Sequence, residues 1–551
     1  MPSYRRPWLL GLALLAAVLL RLIAIDYGLP NTFNADEPHL VNTAVAFGGG
    51  SLSPYSFKYP TLWPYLLFFC YGLFFVLWSG FGFLHTVTQF IGLYAWQPTA
   101  FYLIGRILSA AFSLAALYWL ARLEADEHPA GTLKPWPWAA LLLAFCPVLI
   151  ELAHSCKPDS LMFFWVCAGW YWALRIYQKG SSRAYWWCGL SLGLGLSSQY
   201  TAAPTLLLLP LAHLLSRLKP KPWKAFGQGA AAAVLGFLAG SPYVLLDFPK
   251  FWTSVSEMNY LYLFSDGDQG AVRRTILFNM ATFAGEGSLA IVFVLGGLGL
   301  LLRRDPRKAL LLFAPIAAYF AVLAHNPDGG WMRYLAGCFP GLALLASEGL
   351  RSLAGRRKTF IAAAALTLAP GVVFCSLYVR DLRLPDTRTL VEGWIKTNVP
   401  AGSVILLDLP HTGPRLDMTQ EQSQELWHRT EAAGSPRARL FKAMAATHPG
   451  GGYRLYRIQR SAKDLWTAPR LVSRSQADSD SLDLRGGLDL ARAARVEYVV
   501  LSGFGAGPER APELTSFFSE LSREGELVME FLPEPGRIYG ASMRVYRLRR
   551  P

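Results

Sequence analysis

Charge is scarce in this sequence. Only 16% of its 551 residues are Asp, Glu, Lys or Arg, where a soluble protein of this size carries about 25%. With 53% hydrophobic residues and a mean hydropathy of +0.28, the composition excludes an ordinary soluble enzyme and points to several membrane spans plus a soluble part. Cysteine is scarce too. The seven present are scattered, form no C-x-x-C pair, and stop at Cys375, which leaves neither a disulfide framework nor a zinc signature. No internal repeat is visible. The small-residue cleavage pattern of a signal peptide is also missing behind Arg5 and Arg6, so the first apolar run reads as an uncleaved signal anchor with its N-terminus in the cytoplasm.

The formal net charge of +15 would suit a nucleic-acid partner, but its distribution does not. The basic residues of the first two-thirds sit in short connections between apolar runs, as the positive-inside pattern requires. Those runs are 8–25, 101–121, 138–153, 161–176, 185–198, 201–215, 225–246, 289–302, 309–324, 334–350 and 360–378. The connections 122–134, 179–183, 217–224, 303–308 and 351–358 are basic, and placing them in the cytoplasm gives about eleven crossings in one consistent orientation. The acids of 122–134, Glu124, Asp126 and Glu127, then read as solvated surface with His128. The aromatic-rich run 61–84 is long enough to span, yet 85–98 is too polar and short for a return crossing. It is expected to lie in the plane of the outer face. The expected architecture is thus a polytopic α-helical membrane protein with about eleven transmembrane helices plus an in-plane helix.

After Arg380 the composition turns polar. A helix over 388–398, strands over 404–407, 497–501, 527–531 and 543–546, and helices over 491–494 and 513–523 predict a small extracytoplasmic α/β domain. The chain divides accordingly into a membrane domain, 1–380, and an outer domain, 381–551. The stretch 434–483 reads as loop.

On this topology the ionisable residues converge on one face. The first outer loop carries Asp36, Glu37 and His39 in Asn34-Ala35-Asp36-Glu37-Pro38-His39, followed by Lys58. A second loop holds His154, Lys157 and Asp159, and a later one His325, Asp328 and Arg333. Each has a plain structural reading: Asp36 and Asp159 as helix caps, Arg21, Arg106 and Arg333-Tyr334 as anchors at the headgroups, and the stripe around Tyr59 as lipid-facing packing. The mix of carboxylates and cations also suits a reaction in which a hydroxyl loses a proton and a phosphate leaves.

The order of motifs resembles a known family. An Asp-Glu pair follows the first span; then come Tyr59-Pro60, Gly105-Arg106 opening a span, the loop His154 to Asp159, Gly189 and Gly193 leading to Gln199-Tyr200, and Arg333-Tyr334. Asp386-Thr387-Arg388 begins the tail. The sequence is similar in this order to the GT-C fold glycosyltransferases related to protein O-mannosyltransferases and aminoarabinose transferases, which use polyprenyl-phosphate sugar donors. The resemblance implies a membrane glycosyltransferase with Asp36 as general base in an inverting attack and Glu37 orienting the acceptor or the base. Asp159 becomes an acid that shapes the site. Lys58, Arg106 and Arg333 are implied to hold the lipid phosphate, with Tyr59, His39, His154, Lys157, Gln199, Tyr200 and Tyr334 as further donor-binding positions. Gln199 departs from the Lys that relatives often carry there. Asp36 and Asp159 are the groups for a divalent Mg, Mn or Zn ion if one is used. The partners implied are the membrane, the lipid-linked donor and a protein, lipid or glycan acceptor. The rival is a non-enzymatic transporter or flippase of lipid-linked sugar.

Overall fold

The structure is a computed structural model. It describes residues 7–127, 136–263, 290–323, 332–408, 412–435, 437–459, 480–503 and 511–549. The expected site residues His325 and Asp328, and His128, lie outside them. The chain forms two compact units: Met1–Ile25, Gly50–Phe69 and Leu103–Val379 in one; Asp26–Gly49, Cys70–Tyr102 and Arg380–Pro551 in the other.

The first unit is helical. In chain order the helices of the first third of the protein are α1 (Pro7–Leu22), α2 (Asp36–Phe47), α3 (Leu62–Gly80), α4 (Val87–Trp96) and α5 (Thr99–Glu127). Of these, α2 and α4 belong to the second unit, and α3 and α5 are shared along their length. Then come α6 (Trp138–Ala144), α7 (Pro147–Ala153), α8 (Asp159–Lys179), α9 (Ser182–Ser198), α10 (Leu208–Leu215), α11 (Trp223–Gly240), α12 (Tyr243–Leu246), α13 (Phe248–Leu263), α14 (Ala290–Arg304), α15 (Pro306–Leu323), α16 (Phe339–Arg351) and α17 (Arg357–Asp381). Among the described residues α3, α5 and α17 are long and apolar enough to cross a membrane. The first of these is the stretch expected in the membrane plane.

Several apolar runs are broken rather than continuous. The run 138–153 splits into α6 and α7 because Pro147 has no N–H to give to the preceding turn and instead opens α7. The runs 201–215 and 334–350 each begin as tight 3-10 turns, Tyr200–Leu207 and Met332–Cys338. Small residues set the packing between. A Cβ on Gly189 or Gly193 of α9 would come within 1.8 and 2.0 Å of the Gly229 and Ala233 carbonyls of α11, so only glycine lets these backbones touch. Gly297 of α14 and Gly349 of α16 meet in the same way.

At the end of α5 the expectation of solvated acids is corrected. Glu124 is 2% exposed and accepts from Arg351 Nη2 at 2.8 Å, Ser347 Oγ at 2.5 Å and the Ala139 N–H at 2.9 Å. Lys308 lies 3.1 Å from Glu127 and 3.2 Å from Glu348. Helix α5 simply runs two turns beyond its apolar stretch, and these acids tie it to α15 and α16.

The second unit is built on a six-stranded sheet. It comprises β1 (Val404–Leu407), β2 (Arg454–Ile458), β3 (Ser481–Leu482), β4 (Tyr498–Ser502), β5 (Gly525–Phe531) and β6 (Met543–Leu548), ordered β3-β2-β1-β4-β6-β5. The first four are parallel, while β6 runs antiparallel to both β4 and β5. Side chains alternate across it as the pleat dictates. Leu406, Val499 and Leu501 pack with Leu488, Ala491, Phe517 and Leu521 on one face. Ile405, Leu407 and Val500 pack on the other with Val391 and Ile395 of α18 (Thr387–Asn398). The stretch 434–483, expected as loop, contains β2 and the helix α20 (Ala438–Ala446), which follows α19 (Gln420–Ala432).

Candidate active site

In the first unit two of the sequence-predicted groups, His154 and Arg106, meet at the turn that ends α1. Ala24 sits there with φ of +60°, a left-handed conformation that costs an alanine about 1–2 kcal/mol. The carbonyls on either side of it are both taken up. His154 Nε2 lies 2.9 Å from Ile23 O, and Arg106 Nη1 donates to Ile25 O at 2.9 Å. His154 closes α7, and its Nδ1 lies 2.8 Å from Ile150 O. Both ring nitrogens therefore face carbonyls, and the role in view of the geometry is to fasten the loop. Burial pushes the His154 pKa below its ordinary value; the Ile150 and Ile23 carbonyls pull it up, and the Arg106 and Arg21 guanidinium groups push it down again.

The loop 154–158 is pinned on its other side by α5. A Cβ on Gly105 would fall 2.0 Å from Cys156 Sγ, and Ser109 Oγ donates to the Lys157 carbonyl at 3.3 Å. Lys157 itself is 3% exposed and Arg106 fully buried. Arg21, one helix turn earlier in α1, is buried too; it donates to Ser113 Oγ, Ala17 O and Ala144 O, so it spans between α1, α5 and α6 rather than reaching toward headgroups.

Asp159 is the first residue of α8, with Pro158 in the capping position and no side-chain cap. The expectation that Asp159 caps this helix is corrected by one residue. Its side chain is 1% exposed, and among the described residues neither carboxylate oxygen has a hydrogen-bond partner. The neighbouring Ser160 hydroxyl, and those of Tyr200 and Thr201, are likewise buried without a partner among the described residues. Burying an ionised carboxylate without partners is unfavourable by several kcal/mol, and a helix N-terminus recovers only part, about 0.3–1 kcal/mol and up to ~2.

The remaining first-unit positions are placed as follows. Lys58 donates its backbone N–H to Ser56 Oγ at 3.2 Å, and Tyr59 is buried. Gln199 ends α9 in an extended conformation, and Tyr200 opens the 3-10 turn after it. Arg333 lies over the ring of Tyr334, with its guanidinium carbon 5.2 Å from the centroid.

Asp36, Glu37 and His39 belong to the second unit. Asp36 is again the first helical residue rather than the cap: Ala35 holds that position, and Asn34 Oδ1 accepts the Asp36 N–H at 3.0 Å. Glu37 is fully buried, whereas Asp36 and His39 are half-buried. What the sequence did not reveal is how this loop is held. Arg388 stacks its guanidinium 3.6 Å from the centroid of Phe33, Asn31 donates to Glu392 at 2.6 Å, and Arg439 donates to the Gly49 carbonyl at 2.6 Å. No local pattern marks residues that meet across more than 350 positions.

Among the described residues no three His, Cys, Asp or Glu side chains group closely enough to hold a metal ion.

With this geometry in view, residues 96–245, which hold Arg106, His154, Lys157, Asp159, Gln199 and Tyr200, match the model of a family described as dolichyl-phosphate-mannose-protein mannosyltransferase. Among solved structures the chain is similar to ArnT from Cupriavidus metallidurans bound to undecaprenyl phosphate, at 11% identity and TM-score 0.57, covering 98% of each chain. It is also similar to the Archaeoglobus fulgidus oligosaccharyltransferase tethered to an acceptor peptide with the NVT sequon. There the identity is 11% and the TM-score 0.50, over 98% of this chain and 74% of that one. Among curated proteins none matches by sequence at a significant level. The fold is that of the GT-C membrane glycosyltransferases, in keeping with the resemblance carried by the ordered motifs.

Proposed function

We propose that the chain is a membrane glycosyltransferase that moves a sugar from a polyprenyl-phosphate donor to an acceptor hydroxyl on the outer face of the membrane. The observation that carries this reading is Asp159, a buried carboxylate with neither oxygen partnered among the described residues, set in the part of the chain that matches the mannosyltransferase family. The GT-C fold supports it.

In the proposed reaction Asp36 takes the proton of the acceptor hydroxyl as its oxygen attacks the anomeric carbon. The bond from that carbon to the phosphate oxygen breaks with inversion, and polyprenyl phosphate leaves. Cations stabilise the charge that develops on the leaving oxygen. Lys58, Arg106 and Arg333 are assigned that role, Glu37 orients Asp36 or the acceptor, and Tyr59, Lys157, Gln199, Tyr200, Tyr334 and His39 line the donor. No step is assigned to a metal ion. The reading includes about eleven crossings with the N-terminus in the cytoplasm, an inner-membrane location, an in-plane 61–84 segment, and an outer domain over 381–551.

The test is release of polyprenyl phosphate in reconstituted membranes by the intact chain beside Asp36→Asn and Asp159→Asn, offered a panel of polyprenyl-phosphate sugars. Release by the intact chain and by neither variant is expected. Donor carried across the bilayer without release would instead mean a transporter.

A further inference from the structure

The second unit contains a clamp that the proposed chemistry does not by itself require. Residues 26–49, which carry Asp36 and Glu37, are gripped by side chains of the C-terminal segment before and behind α2, and by Tyr94 of α4 beside it. Before it, Phe33 lies against the Arg388 guanidinium at 3.6 Å. A Cβ on Gly28, at φ of +70°, would come within 2.5 Å of the Phe33 ring, so the ring also packs against bare backbone. Arg388 is itself fixed, because its Nε and Nη2 each donate to Asp386 at 2.8 Å, and both residues are about 5% exposed or less. Two residues earlier Asn31 donates to Glu392, whose other oxygen receives Lys396 at 2.6 Å. Arg415 donates to the carbonyls of Pro30 at 3.4 Å and of Ala95 and Trp96 at 2.9 Å. Behind α2, Arg439 donates to Gly49 O. Beside it, the Tyr94 hydroxyl donates to Asn42 Oδ1.

We infer that the C-terminal segment is a positioning device for the Asp36–Glu37 pair, and that Arg388, acting through the face of Phe33, is its principal positioning residue. This inference rests on the transferase reading for its consequence, but not for its geometry. Phe33 stands three residues before Asp36 with only Asn34 and Ala35 between, so a shift of the ring is passed to the acid through a short piece of backbone that Asn34 already fastens to the Asp36 N–H. A buried guanidinium over an aromatic face is a directional contact. An aliphatic side chain of similar bulk would fill the space without supplying it. The outer domain on this account is part of the catalytic apparatus, and an acceptor need not touch it for it to matter.

The experiment compares the full chain in lipid nanodiscs with Phe33→Leu and Phe33→Tyr, which leave the buried Asp386–Arg388 pair intact where Arg388→Gln would strand Asp386. Backbone hydrogen exchange over 31–47 is measured without donor, and turnover with the donor that the intact chain uses. Phe33→Leu is expected to speed exchange over 31–47, leaving β1 and β4 protected. It should also lower turnover on the order of a hundredfold at unchanged KM, the scale of an ångström-sized misplacement. Phe33→Tyr restores both. Exchange and turnover in Phe33→Leu equal to those of the intact chain would overturn the inference, as would an equal loss in Phe33→Tyr. A chain that shows the exchange pattern yet never releases polyprenyl phosphate overturns the transferase reading alone and leaves the clamp standing.

Discussion

Asp159 and Asp36 each occupy the first position of a helix, and each follows a short loop at the end of an apolar segment, yet the two loops are held by different means. The loop before Asp159 is fixed by neighbours within the helices of its own unit: the Ile150 and Ile23 carbonyls on His154, the Ser109 hydroxyl on Lys157, and the bare face of Gly105 against Cys156. The loop before Asp36 is fixed by side chains 361 and 385 positions away in sequence, as the Asn31–Glu392 and Pro30–Arg415 contacts show. One acid is set by backbone packing that cannot shift without opening a gap or stranding a buried polar group. The other is set by partners that substitution can remove singly. The first is a property of the helical fold; the second depends on a segment that comes last in the sequence.

The largest effects should come from the acids themselves, and they should differ in kind. Asp36→Asn removes the proposed base, so turnover is expected to fall by about 10²–10⁴ with little change in melting temperature and with binding of undecaprenyl phosphate retained. Asp159→Asn should also abolish release, but it replaces a buried carboxylate that lacks partners among the described residues with a neutral isostere. Its melting temperature is therefore expected to rise. A fall in melting temperature for Asp159→Asn would mean that the carboxylate has partners in the folded protein and would remove the observation on which the functional reading rests.

Next come the two fastenings. Gly105→Val puts a branched side chain where even a Cβ would lie 2.0 Å from Cys156 Sγ, and overpacking of this kind costs about 1–3 kcal/mol. The loss should appear as lower stability of the helical unit with its activity falling in parallel. Arg415→Ala removes hydrogen bonds to Ala95, Trp96 and Pro30, worth about 0.5–1.5 kcal/mol each. Its effect should be local, read as faster hydrogen exchange over 30–47 with unchanged exchange in α8. If Arg415→Ala instead loosened the whole chain, the contrast between the two loops would fail.

The same contrast explains what could be read in the sequence. The helical runs and the C-terminal sheet region were legible because burial on a helix face or a pleated strand leaves a period. Asp36, Asp159 and their companions could be singled out as candidates because ionisable groups are conspicuous in an apolar chain. What was not legible depended on single residues or on distance. Pro147 divides one run into α6 and α7, and the 3-10 turns at Tyr200 and Met332 leave no periodic mark. Ala35 and Pro158 take the cap positions that Asp36 and Asp159 would favour by type. Glu124 looked solvated because it stands among charges, and only the partner Arg351, 227 residues on, shows it to be buried. Within 434–483, β2 and α20 are short and flanked by glycines, so loop composition outweighed their pattern. Phe33 and Arg415 carry no local signal, and Arg388, although part of the motif that begins the tail, gives no sign of its partner.

The smallest effect tests how firmly the Asp159 loop is fastened. His154 is buried with both ring nitrogens against carbonyls, and burial sets its pKa below the ordinary value despite them. An unfolded histidine takes up its proton near pH 6.5, so just below that pH the unfolded chain binds more protons than the folded one. Stability therefore rises with pH through this window and is lost as pH falls toward the folded value. His154→Gln, which cannot titrate, should be less stable at pH 8 because a glutamine reproduces the two contacts imperfectly. Its stability should also fall less than that of the intact chain between pH 6.5 and pH 5, as read from paired melting curves. The reverse slope, with the intact chain gaining stability relative to His154→Gln on acidification, would mean that the Ile150 and Ile23 carbonyls hold a cation at this position. The fastening of the first loop would then be electrostatic like that of the second, and the distinction between them would shrink to one of distance along the chain.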